Sequence, residues 1–271
     1  MAGVSSESLA AAQEQLEKYL PHATLSLAEE LFGIVGVLDA GAGVRRALTD
    51  PTREGSEKAA LVSNLFAGKV SPEAETIATG LAASRWRDPR DIGDALELLA
   101  ATVVSAVAEN RGPGSAGLDA LEDDLFRFNR AVAASHEVQR ALSDPQAPVQ
   151  ARTALAERLV PGAGPEALVL IRQAVAHPRG LRPTGVISRF LELVSARQRR
   201  WIAEVRSARP LTAEQRTRLQ ASLDALYGRE LKINAEVDPS LIGGVRITVG
   251  DEVLDSSVVS RLSELRRKLA V

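Results

Sequence analysis

The chain has 271 residues, 45% apolar but only 3% aromatic, with a formal net charge of −2 and no cysteine. That length favours two or three domains with real cores, and the apolar content excludes a disordered chain. The missing thiol excludes disulfides, thiol catalysis and cysteine metal sites, and so mild a charge balance argues against nucleic acid, which calls for a concentrated basic stripe.

Residues 1–20 carry acids and lack a basic head followed by an apolar run, so no signal peptide is expected. Ser8–Leu20 reads as a helix that stops before Pro21. Ser26–Ala40 places Leu27, Leu31, Ile34, Val35 and Leu38 on a 3.6-residue rhythm, with Ser26 and Glu29 in a capping-box pattern. Gly33 and Gly36 weaken that helix by about 1 kcal/mol each against alanine, or serve close helix contact. The stretch 43–51 reads as a short helical turn stopped by Pro51, and Ser56–Phe66 as the next helix. Ser71 with Pro72, and Asp88 with Pro89, each look like an N-cap followed by proline at the first helical position, opening helices over 71–84 and 88–110. Ala95–Ala108 is the most apolar run, but Glu97 interrupts it and it falls short of the roughly 20 residues a membrane span needs. Membrane association is therefore expected through a partner, without direct insertion.

After the linker Arg111–Gly117 the pattern starts again. Leu31-Phe32 and Leu125-Phe126 lie 94 residues apart, as do Pro51 and Pro145, and the hexapeptides ending at those prolines differ only in Thr49 against Ser143. The same offset lays 61–68 on 155–162, 77–84 on 171–178 and, more loosely, 92–100 on 186–194. A long gapless correspondence points to a duplicated helical unit. In each copy the aspartate or hydroxyl of the hexapeptide is expected to cap the following helix, and the proline to begin it.

The periodicity changes after residue 200. Residues 201–206 alternate like a half-buried strand, Thr212 and Gln215 form a capping box for a helix over 211–230, and Gly228 sits where a C-terminal glycine belongs. Alternation returns over 230–239, and 243–257 reads as two strands joined by a Gly250-Asp251 turn. A basic helix over 257–270 closes the chain. Residues 1–195 hold 19 Lys/Arg against 25 Asp/Glu, and residues 196–271 hold 14 against 10, which also divides the chain near residue 200. The expected fold class is mainly α with a small α/β C-terminal domain. The expected domains are 1–110, 111–200 (sharing the helix 88–110) and 201–271 in strand-helix-strand-strand-strand-helix order.

No constellation supports catalysis. His22, His136 and His177 show no metal-binding spacing. Asp251 and Asp255 flank Glu252, but a turn and a helix start account for them, and Glu122–Asp124 reads as a solvated helix face. The glycine-rich pieces 39–44, 161–166 and 241–245 lack the pattern of a phosphate loop. Arg197–Arg200 beside Trp201 reads as a solvated helix end. Neither an active site nor a cofactor is expected, and function should lie in surfaces.

The final segment carries a specific resemblance. Pro210-Leu211-Thr212, Tyr227-Gly228, Val237-Asp238-Pro239, Ile242-Gly243-Gly244-Val245, Gly250-Asp251, Val253, Asp255-Ser256-Ser257-Val258 and Arg261-Leu262 follow in order. This pattern resembles the delta subunit family of F-type ATP synthase, related to the mitochondrial oligomycin-sensitivity-conferring protein, except that Ser256 stands where the family pattern has glycine. The likeness extends back to about Asp123, and residues 1–95 resemble the extra region of a longer, actinobacterial-type form. The resemblance implies a non-catalytic stator protein of the peripheral stalk, at the cytoplasmic side of the cell membrane. It implies a helical domain that binds N-terminal segments of the alpha subunits and a C-terminal domain that binds the end of the b subunit. Leu125, Phe126, Phe128, Val132 and Leu142 are then candidates for the alpha groove, and the first copy is expected to offer a similar groove or only to brace the stalk. Ile242, Val245, Ile247, Val253, Val258, Leu262, Leu265 and Leu269 are candidates for the b contact. The alternative is a helical adaptor unrelated to ATP synthase.

Overall fold

The computed structural model describes residues 3–255 except 113, 200, 229, 230, 240, 242, 243 and 251. The chain divides into two compact units, Met1–Arg111 with Ala120–Val194, and Gly112–Asp119 with Ser195–Val271. The first is built from helices and the second carries the strands. The mainly helical region and the small α/β region thus stand as expected.

In chain order the helices are α1 (Val4–Leu16), α2 (Leu25–Ala40), α3 (Ala42–Thr49), α4 (Gly55–Phe66), α5 (Pro72–Ala83) and α6 (Asp91–Asn110), followed by α7 (Ala116–Ala133), α8 (His136–Ser143), α9 (Val149–Leu159), α10 (Pro165–Ala176) and α11 (Pro183–Arg199). Several starts differ from expectation, each for a visible reason. α1 begins at Val4, because buried Ser5 donates to Asp91 Oδ2 at 2.6 Å and accepts the Arg87 N–H at 2.9 Å, which ties this end to the start of α6. Thr24, not Ser26, caps α2 by accepting the Leu27 N–H. Asp88 does not cap α6; its carboxylate accepts the Arg90 N–H at 2.8 Å in a turn, and the helix starts at Asp91. At α5 the expected Ser71 cap and Pro72 start are both in place.

The centre of the helical unit is α6, which packs against α1, α2, α5 and α10. Ile92, Leu96, Leu99, Val103 and Val104 are all buried, as are most of its alanines. A helix buried on nearly every side must be apolar nearly all round, which accounts for the run that invited comparison with a membrane span. Among the described residues no helix is long and apolar enough to cross a membrane.

Local devices recur in the helical unit, with the capping side chains at the 94-residue offset and some of their backbone partners displaced by one to three positions. α3 and α8 occupy matching positions, 42–49 and 136–143. Arg45 donates to the carbonyls of Leu38 and Asp39, closing the end of α2, and Gln139 donates to those of Val132 and Ala133 at the end of α7. Glu30 accepts the Ser71 N–H ahead of α5, and Asp124 accepts the Gly164 N–H ahead of α10. Lys58 on α4 and Arg152 on α9 are buried bases that donate to carbonyls near the ends of α5 and α10, those of Ser84 and Val175. Asp50 accepts the Thr52 N–H and Asp144 the Gln146 N–H, both at 2.9 Å. The hexapeptide therefore makes an Asx-type turn. Neither aspartate caps the next helix and neither proline begins one, since α4 starts at Gly55 and α9 at Val149.

The second unit holds β1 (Ile202–Ser207), α12 (Ala213–Tyr227), β2 (Lys232–Val237), β3 (Val245–Val249) and β4 (Glu252–Asp255). The sheet order is β2-β1-β3-β4, with β1 parallel to β2 and the other pairs antiparallel. Thr212 and Gln215 make both halves of the capping box of α12, and Gly228 ends it in the left-handed conformation at φ 65°, where glycine avoids a Cβ penalty. Leu219, Leu223 and Tyr227 of α12 cover Ala203, Val205, Ile233, Ile247 and Val249. The expected closing helix over 257–270 lies outside the described residues.

Candidate functional site

The five candidates for an alpha groove do not share one environment. Leu125, Phe128, Val132 and Leu142 are core residues at 0%, 0%, 3% and 1% exposure, whereas Phe126 is 47% exposed. The reason is helical spacing: Leu125, Phe128 and Val132 fall on the inward stripe of α7, while Phe126 falls on the stripe of Asn129 and Ala133. Asn129, Val132 and Ala133 line a cleft of about 330 Å³ with Gln139 and Leu142 of α8 and Arg182–Thr184 at the start of α11. Asn129 Nδ2 donates to the Thr184 carbonyl at 3.4 Å, and its buried Oδ1 has no partner among the described residues. Phe126 thus continues, one turn away, the open stripe that runs into this cleft.

The matching face of α2 is occupied. Phe32, at the position of Phe126, is 6% exposed and its ring lies 6.5 Å from that of Phe190 on α11, while Val35, at the position of Asn129, is fully buried. A groove like that on α7 is therefore closed here. What stays open is a shallower groove of about 250 Å³ between α2 and α10, lined by Phe32, Gly33, Gly36, Val169, Ala176 and His177. A Cβ at Gly36 would lie 3.7 Å from the His177 ring, an ordinary contact, so the packing here leaves room for a side chain of that size.

The loop after α10 is fastened by one buried arginine. Arg179 is 8% exposed, with Nε 2.9 Å from Asp39 and Nη1 2.9 Å from Asp94 and 3.6 Å from Glu97. Nε and Nη1 form no hydrogen bond of good angle, so these are charge contacts rather than linear bonds. Arg179 adopts φ 49°, a conformation that disfavours residues with a Cβ. Its carbonyl accepts from Arg90, and a Cβ on Gly93 would come within 2.6 Å of its guanidinium. Burial raises the Glu97 pKa above the ordinary glutamate value, against the lowering influence of Arg179 and the Gln173 amide. In the Asx-type turn, the hydroxyl and backbone N–H of Thr52 hold the Asp50 pKa below its usual value.

The candidates for a b contact also divide. Ile247 is buried and Val245 half-buried on the side of the sheet that α12 covers. Val253, paired with Thr248, is 55% exposed on the opposite side. Residue alternation along a strand makes this unavoidable. Ile242, Val258, Leu262, Leu265 and Leu269 lie outside the described residues. On the open side of the sheet, Glu204, Thr248 and Val253 form one cross-strand row, extended by Asn234, and Glu236, Arg206 and Arg246 form the next.

Among the described residues no group of three or more His, Cys, Asp or Glu side chains is placed to hold a metal ion. Glu122–Asp124 is not a purely solvated face: Asp124 pairs with Arg127 and accepts the Gly164 N–H at 2.7 Å. A helix-capping role of this kind depends on a residue forty positions away and leaves no local trace in sequence.

Residues 100–269 match the family described as ATP synthase delta (OSCP) subunit. Over full length the chain is 65% identical to the ATP synthase subunit delta of Arthrobacter sp. (strain FB24), covering 100% of both chains. It is 64% identical to that of Pseudarthrobacter chlorophenolicus and 58% identical to that of Renibacterium salmoninarum, again over 100% of both chains.

Proposed function

Because the chain belongs to the ATP synthase delta (OSCP) subunit family, we propose that its two units divide the work of the stator between two partner surfaces. The family is a non-catalytic peripheral-stalk component of the proton-transporting complex, which holds the catalytic head against rotor torque during ATP synthesis. Residues 111–200 bind an N-terminal alpha segment, and residues 201–271 bind the end of b, on the cytoplasmic side of the membrane. The observation that carries the alpha assignment is exposed Phe126 on the stripe that enters the α7–α8–α11 cleft. A helix-in-groove contact needs this combination of an aromatic anchor and an apolar trough, with a polar rim to set register. For b, support comes from the open row through Val253 on the sheet.

We further read α2–α6 and α7–α11 as two copies of one unit. The recurring side-chain caps support this more strongly than helix order alone, because each needs a particular donor or acceptor at one place. With the matching face of α2 closed, the second copy holds alpha and the first braces it through α6 and Arg179.

Reconstitution tests the assignment. Delta-depleted complexes should regain proton-driven ATP synthesis with the wild-type chain, and the isolated chain should turn over no nucleotide. Hydrogen exchange with a peptide of the alpha N-terminus should protect residues 126–143. Protection confined to α2, or none at all, would sink the alpha assignment.

A further inference from the structure

We propose that the corner where α3 gives way to α4 is a docking cleft for an acidic, extended peptide segment of a partner chain. The inference rests on the two-copy reading. The cleft, of about 540 Å³, is lined by Arg53, Lys58, Arg85 and Arg87 against one lining acid, Glu54, with Trp86 among the lining residues; Asp50, outside the lining, is a second acid that feels the charges of Arg53 and Lys58. Trp86 is 7% exposed and donates its indole N–H to the Leu81 carbonyl at 2.8 Å, so this part of the wall is fixed. Lys58 is 3% exposed, with Nζ held by the Ser84 carbonyl at 3.1 Å. Among the described residues the exposed guanidinium groups of Arg53, Arg85 and Arg87 have no ion-pair partner. The first turn of α4 opens here without a side-chain cap, and its dipole adds positive potential.

This concentration of cations stands against its surroundings, since residues 1–195 carry more acids than bases. The second copy is an internal control. Ala147 and Val149 occupy the positions of Arg53 and Gly55, and α10 follows α5 at an offset of 93 residues, which sets Pro178, Arg179 and Gly180 against Arg85, Trp86 and Arg87. Arg179, the one base of that trio, is turned inward onto Asp39 and Asp94. The exposed charge therefore belongs to the first copy alone and is not required by the shared fold. Small-molecule sites are mostly apolar with few polar groups. Three exposed arginines, two on the segment between α5 and α6 and one ahead of α4, instead suit carboxylates spaced along an extended chain, each reached by a planar fork.

The test uses the full-length chain, isotope-labelled, and a blocked octapeptide of alternating Glu and Ala as probe. The peptide is expected to shift the amide signals of Gly55 and Arg87 and the Trp86 indole N–H, and the shifts should weaken as salt screens the charges. The variant R53E/R85E should bind at least about tenfold more weakly, because two exposed attractions become repulsions. Both sites are exposed, so its melting temperature should match wild type and confirm an intact fold. Unmoved signals, equal binding by the variant, or the same shifts from inorganic phosphate at equal charge would each overturn the proposal. An alpha N-terminal peptide, read at the Ala133 amide, separates the two claims. Shifts there with a silent α3–α4 corner refute only the docking cleft, and the reverse refutes only the alpha assignment.

Discussion

Replacing Arg179 with alanine tests whether the loop after α10 is held by charge. Glu97 is the critical partner: its side chain is 5% exposed, whereas Asp39 and Asp94 are 27% and 29% exposed. Pairs screened to that extent contribute about 0–1 kcal/mol each. Stranding a buried carboxylate costs more, and breaking a buried ion pair by removing one partner destabilises by about 3–5 kcal/mol. R179A should therefore cost about 3–5 kcal/mol, most of it from Glu97. R179G should cost about 1 kcal/mol less, since glycine relieves the φ of 49°. Burial already outweighs the attraction of Arg179 for Glu97, so E97Q alone should stay within about 1 kcal/mol of wild type. R179A/E97Q should then recover at least about 2 kcal/mol of the single loss.

The pH dependence follows from the same shift. A carboxyl whose folded pKa is raised contributes stability that is fully present below its unfolded pKa and lost as pH rises through the folded value. Removing Arg179 raises that value further, so the cost of R179A should be larger at about pH 8 than at about pH 5. Urea unfolding followed by Trp86 fluorescence in a W201F background isolates the helical unit. A cost below about 1 kcal/mol, or strict additivity with E97Q, would refute the reasoning.

Three further outcomes are expected. F126D should abolish protection of residues 126–143 by an alpha peptide while leaving the melting temperature within a few degrees of wild type, because the side chain is exposed. L48A and L142A, two buried leucines at matching positions, should each destabilise by about 2–5 kcal/mol in urea unfolding, and a large inequality would count against equivalent packing in the two halves. T212A should cost about 1 kcal/mol in the α/β unit alone, read by Trp201 fluorescence in a W86F background, because it removes the capping box of α12.

What could be read in the sequence was what local chemistry determines. The capping box at Thr212, the proline start at Pro72 and the strand alternation after residue 200 each involve neighbours within a few positions. Ser26 and Asp88 have the right residue type for a cap, but Thr24 caps α2 by an equally local bond from the Leu27 N–H, two positions earlier than expected. At α6 the start is tied through Asp91 to distant Ser5, a contact that no local pattern carries. The alpha candidates show the same limit. Apolar periodicity marks Leu125, Phe128 and Val132 as facing inward but cannot say whether the inward side is closed or forms a groove. Phe126 and its counterpart Phe32 are the same residue in the same helical position, one exposed and one covered by Phe190. Only the tertiary placement of α11 separates them.

That contrast bears on what an additional copy of a helical unit can add to a stator. On the two-copy reading proposed above, both copies begin with the same surfaces, so a second identical groove would be the simplest gain. Packing α10 and α11 against α2 instead uses the first copy's groove face as an internal interface, and Arg179 fastens it to Asp39 and Asp94. A protein that transmits torque gains from such stiffening, because load applied at one surface reaches the other only through elements that do not slip. The cost is the loss of one apolar groove. The guanidinium groups of the basic corner at Arg53, Arg85 and Arg87 are exposed and stand outside that interface. Surface chemistry was thus free to diverge at the corner and constrained on the α2 face, and a partner contact unique to the longer chain is to be sought at that corner.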